Sequence, residues 1–199
     1  YYKSPTFLGA AWKAMPANYS DARLGKRVLD LLDDMNQWGE HKQILAEADL
    51  FALNAASELY GHASINYLKL DSVPEYEEGW ASVLDALRER KYFSSTGEVL
   101  IQSLTYNGKE FPSKISAPDA ASVEIHAEVK WTFPLSFAEI ISGDGESIFR
   151  DRIDLSHTGG FGEEQLIQRS IDLPDRKWVR FEVWDVAENG AFTQTVRIH

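Results

Sequence analysis

Glu58-Leu-Tyr-Gly-His62 sets a carboxylate and an imidazole four residues apart. On a helix the two would share a face, a spacing at which side chains hold a divalent metal. It is a single pair, and Gly61 weakens a helix there, so a hydrogen-bonded structural histidine is the competing reading. The other histidines offer less. His126 falls on the polar side of an alternating run, and His157 lies in a glycine-containing loop. His41 follows a helix end, where its charge would suit the dipole, and His199 is the last residue. No G-x-S-x-G nucleophile elbow occurs. Thr158-Gly-Gly-Phe-Gly162 lacks the Lys-Ser/Thr of a phosphate loop. Asp30, Asp33 and Asp34 lack the alternating oxygens and glycine of a calcium loop and read as a solvated helix face.

Aromatic residues are the second candidate chemistry. In Trp178-Val-Arg-Phe-Glu-Val-Trp184, alternation sends Val179, Phe181 and Val183 one way. Trp178, Arg180, Glu182 and Trp184 then share the opposite face. Tryptophans so placed either stack on a carbohydrate or peptide ligand or pack against a neighbouring domain, and packing is the preferred reading.

Composition narrows the classes. The 199 residues are 44% hydrophobic and 12% aromatic, which supports a sizeable core and argues against disorder. A formal net charge of -11 discourages nucleic acid as a partner, since phosphate binding rests on clustered Lys and Arg. With no cysteine, disulfides, thiolate metal sites and cysteine nucleophiles are excluded. No apolar run is long enough for a membrane span, and no signal-peptide layout opens the chain. The first residues, Tyr1-Tyr-Lys-Ser-Pro, lack an initiator Met, as expected of a trimmed piece, so the compartment stays open.

The elements that must position these residues change character near residue 97. Ser20 is a candidate N-cap for a helix whose apolar stripe is Leu24, Val28, Leu31, Leu32, Met35 and Trp38, with Gly39 as its stop. Residues 43–56 are ambiguous between helix and buried strand. Ile65 to Leu70 reads as a short strand, and Trp80 to Tyr92 as a second helix ending on cations. Beyond Gly97 the period falls to two. Asn107-Gly108 is a type I′ hairpin turn, and Val123 to Phe133 alternates apolar and polar residues throughout. Five further strands follow at sandwich spacing. The expected fold class is α+β: an α/β segment over 1–97, then an antiparallel β-sandwich over 98–199.

One resemblance adds to this. Ala86-Leu87, Lys91-Tyr92-Phe93, Thr96-Gly97, Leu100 and Asn107-Gly108-Lys109 follow a phrase pattern of the carbaryl-hydrolase-like (CehA/McbA-type) metallohydrolases of the PHP superfamily. Glu139 to Gly145, Trp178 to Asp185 and Asn189 to Thr193 are similar to that family's C-terminal sandwich, so the likeness covers roughly residues 80–199. It implies that residues 1–97 end a PHP-like metal-binding barrel and that the sandwich is Ig-like. It also implies metal-dependent hydrolysis of an ester, amide or phosphoester bond by the whole protein.

The chain departs from the family pattern where metal is bound. It has no H-x-H, and where a late D-x-H would fit it reads Asn54-Ala-Ala56. An open catalytic site needs three or more ligands, and Glu58 and His62 are the only nominees. The expectation is therefore a C-terminal portion that is not a competent hydrolase alone. Its divalent metal would be bound in the full-length protein and not by this chain, and its partner would be the N-terminal remainder. The alternative is a non-catalytic module whose small-molecule, carbohydrate or peptide ligand is held by Trp178 and Trp184.

Overall fold

The computed structural model describes residues 3–4, 7–13, 23, 25–48, 64–116, 121–162 and 165–199. A parallel unit comes first. Strand β1 (Gly9–Trp12) leads through helix α1 (Lys26–Gln37) to β2 (Gln43–Ala46), which pairs with β1 from Gly9↔Gln43 to Trp12↔Ala46. Parallel neighbours require such a crossover, and a helix supplies it. Next come β3 (Ile65–Leu68), a 3-10 turn (Tyr76–Glu78), helix α2 (Ala81–Arg88) and β4 (Tyr92–Ser95). Every later element is a strand: β5 (Val99–Tyr106), β6 (Lys109–Glu110), β7 (Val123–Trp131), β8 (Leu135–Gly143), β9 (Ile148–Asp154), β10 (Gln165–Ile171), β11 (Trp178–Asp185), β12 (Gly190–Thr193) and β13 (Val196–Arg197).

Two antiparallel sheets face each other. The smaller runs β10-β7-β5-β6 and the larger β3-β4-β12-β11-β8-β9, with β13 paired to β11. Residues of period two fill the space between them: Val123, Ile125, Ala127 and Val129 from β7 meet Val179, Phe181 and Val183 from β11. The β5–β6 turn has φ of 51° at Asn107 and 73° at Gly108, the pair of positive angles a type I′ turn needs.

A second core lies on the outer face of the larger sheet. There Phe137, Trp184 and Phe192 pack against Trp12, Leu29, Leu32 and Ile44 of the parallel unit. The molecule is thus three layers, and the larger sheet is covered on both sides. That explains why every residue of β11 is buried, as in sheets with two covered faces.

Three expectations need correction. The division at residue 97 does not separate two sheets, because β4 pairs with β12 and β3 with β4. Tyr92, placed by sequence at the end of the second helix, instead opens the strand Tyr92–Ser95, and the helix stops at Arg88. Helix α1 buries Leu32 and Met35 of the expected stripe, but adds Leu29, Asp33 and Asn36 to its buried face and leaves Trp38 exposed. The proposed cap Ser20 lies outside the described residues. Among the described residues no helix is long and apolar enough to cross a membrane.

Candidate functional site

Glu58 and His62 lie outside the described residues. Among the described residues, no group of three or more His, Asp or Glu side chains is placed to hold a metal. Trp178 and Trp184 are described, and both have zero exposure. Neither offers a ring face to a sugar, which corrects the ligand-stacking alternative. Trp178 Nε1 instead donates to Gln37 Oε1 of α1 at 3.2 Å, and Trp184 belongs to the outer core. Gly143 lets this contact close, since a Cβ there would lie 2.2 Å from Gln37 Oε1 and 2.5 Å from the Trp178 indole nitrogen.

The charged residues between those tryptophans form the densest polar site. Arg180 is fully buried and forks onto Asp33, with Nε 2.5 Å from Oδ1 and an Nη 2.9 Å from Oδ2. Its other terminal nitrogen donates to Glu182 at 2.6 Å. Asp33 also accepts from Arg150 at 2.9 Å, and Glu182 from Arg23 at 3.3 Å. Arg150 continues to Glu139 at 3.1 Å. Bidentate guanidinium–carboxylate geometry is what a desolvated charge needs, because its lone pairs and protons find no water.

Burial alone would lower the Arg180 pKa, but Asp33 and Glu182 hold it above the ordinary arginine range. Burial pushes the Glu182 carboxyl up, yet Arg180 and then Arg23 more than offset this and leave it below its usual value. Every charge here is matched, so the site carries no poised acid, base or nucleophile. Its chemistry is adhesive, fixing α1 to the sandwich. The acidic cluster of α1 is therefore split. Asp33 is buried in this network, whereas Asp34 remains on the wet face.

Sequence reasoning missed Asp33. The signal was its place in the stripe with Leu29, Leu32 and Asn36, opposite an arginine on a strand that was expected to pack. The strand β2 is held by a related device. Ile44 N–H donates to Gln194 Oε1 at 2.9 Å while Gln194 Nε2 donates to Ile44 O at 2.9 Å. Asn66 serves Ala46 in the same way, at 2.8 and 2.9 Å. Two primary amides thus occupy the edge of β2 as a neighbouring strand would.

His41 sits in the turn between α1 and β2, where its Nδ1 accepts from Arg197 Nε at 3.2 Å. Burial, then the charges of Arg90 and Arg197, push the imidazole pKa down to about 3. A neutral ring acting as acceptor is a turn fastener here, not a proton shuttle.

A cleft of about 310 Å³ opens elsewhere, where β3 and β4 diverge from β5 and β6. Tyr67 and Phe93 stack in it, ring centroids 4.9 Å apart and planes within 9°. Ile101 and Leu104 line it as well, and Lys69 and Lys91 stand at its mouth, paired with Glu110 and Glu89 respectively. The arrangement suits a flat apolar body with a polar head.

No protein-family model matches this chain. A search of curated proteins likewise finds no match.

Proposed function

We propose that this chain is the C-terminal part of a PHP-type metal-dependent hydrolase-like protein, with an Ig-like accessory sandwich and no complete catalytic metal site of its own. In this reading β1, α1 and β2 belong to the end of the α/β barrel. The observation that carries it is the parallel β–α–β unit bound to the outer face of an antiparallel sandwich. Two strands are a fragment of any barrel, and the buried Arg180–Asp33 fork gives the sandwich a structural task that a ligand site would not require.

The test compares this chain with the full-length product of its gene, the extended protein of this reading. The extended protein is expected to carry stoichiometric divalent metal and to hydrolyse a p-nitrophenyl ester or phosphodiester, while residues 1–199 alone do neither. An ion held at full occupancy by this chain alone would overturn the reading, as would an extended protein without bound metal.

The cleft beside Tyr67 and Phe93 favours a second reading, a binding module for a small apolar ligand with a polar head. That ligand would enter between the sheets and not at Trp178 or Trp184.

A further inference from the structure

Four exposed large apolar side chains fall within one short stretch. Val73 is 85%, Tyr76 92%, Trp80 71% and Leu84 46% exposed. Val73, Tyr76 and Trp80 line a hollow of about 160 Å³ whose walls also include Leu70, Pro74 and Val83. Contiguous exposure of this kind marks an interaction surface, because each side chain would be more stable out of water.

The stretch is held in shape. Glu75 and Glu78 form a reciprocal capping box around the 3-10 turn, with Glu75 N–H donating to Glu78 Oε2 at 2.9 Å. Helix α2 follows at once, and Ala86 is its one buried residue. Its outer face therefore lacks cover among the described residues.

Charge identifies the occupant. Glu75 lines the hollow and Glu77 and Glu78 follow it in the 3-10 turn, and among the described residues no cation pairs with any of them. The carboxylates on and near α2 differ: Asp85 pairs with Arg88, Glu89 with Lys91 and Glu110 with Lys69. An apolar hollow ringed by aromatics, with an unneutralised acidic edge, has the anatomy of a protein interface centre and rim.

From this geometry we infer that the Val73–Leu84 surface docks a basic amphipathic segment of another protein. One large apolar side chain of that segment fills the hollow, and its Lys or Arg residues meet Glu75, Glu77 and Glu78. A sugar would find few groups in the aliphatic walls to answer its hydroxyls. An anionic membrane would be repelled by the three carboxylates. A second copy would bring like-charged edges together. The inference does not depend on the hydrolase reading.

The experiment titrates labelled synthetic peptides against residues 1–199 by fluorescence anisotropy. A Leu/Lys amphipathic peptide is expected to bind saturably, with Leu/Glu and Ser/Lys peptides about tenfold weaker or worse. The double variant Val73→Asp with Trp80→Ser should weaken Leu/Lys binding about tenfold at unchanged circular dichroism. General attraction to an acidic protein predicts the opposite, since this variant adds a negative charge. The inference is overturned if the variant binds as tightly as the parent, or if the Leu/Glu peptide binds equally well. A saturable response to cellohexaose or phosphatidylcholine vesicles that the variant loses would overturn it too. So would a dimer of the parent chain, seen by sedimentation, that the variant abolishes.

Discussion

Arg180 concentrates the physics of this protein in one side chain. It has zero exposure, yet it is charged, and it lies in a strand whose other face carries Val179, Phe181 and Val183 into the core. Its net worth against an apolar replacement is small in principle, because desolvation consumes much of the Coulomb gain. Removing it alone is another matter, since Asp33 and Glu182 would stay buried with fewer partners. Arg180→Met is expected to cost about 3–5 kcal/mol in urea unfolding at neutral pH. The pH dependence has a definite sign. In the parent, the Glu182 pKa lies below its unfolded value, so its contribution is present above the ordinary carboxylate range and is lost as pH falls through the folded value. In the variant, burial raises that pKa, and acid then neutralises a buried charge. The stability gap between parent and variant should therefore narrow as pH falls below the carboxylate range. A gap that widens in acid would show that Glu182 is not held ionised by Arg180.

At the scale of elements, β2 shows how a four-residue strand survives at the margin of a sheet. One edge pairs with β1, and the other is occupied by the Gln194 and Asn66 amides. Buried backbone groups without partners are costly, so the amides replace water that cannot reach them. Gln194→Ala leaves Ile44 N–H without its amide partner and should cost about 2–3 kcal/mol. Hydrogen exchange at the Ile44 amide should accelerate by more than the global loss explains, whereas unchanged exchange would mean that another group serves this edge. Elements of this kind were the least legible in the sequence. Gln43–Ala46 reads as ambiguous because four residues are too few for a period to show, and tertiary pairing decides. Tyr92–Ser95 follows directly on a helical pattern, and its strand character comes from pairing with β12 and β3. Val123–Trp131 and the Asn107-Gly108 turn were legible, because alternation and positive φ are local properties. Asp33 was half legible. Its stripe position was visible, but the arginine that makes burial tolerable is 147 residues away.

For the molecule as a whole, the larger sheet is the middle of three layers, and this ties the parallel unit to the sandwich. Without α1, β1 and β2, the sheet would expose Phe137, Trp184 and Phe192 together with Arg180 and Glu182. Without the larger sheet, the parallel unit would lose its buried stripe, its salt bridge and both amide partners. Neither layer keeps its core when the other leaves, so the two should unfold together. Tryptophans report on both sides of the sheet: Trp12, Trp178 and Trp184 at the outer layer, Trp131 in the core between the sheets. In urea, intrinsic fluorescence and far-ultraviolet circular dichroism are expected to trace one transition with a common midpoint. A Trp131→Phe variant, which leaves fluorescence weighted toward the outer layer, should keep fluorescence and dichroism coincident. If its fluorescence changed first, at lower urea than the loss of strand dichroism, the parallel unit would be detaching from an intact sandwich. The buried fork between Arg180 and Asp33 would then be a contact between independently stable parts and not the bond that makes them one cooperative unit.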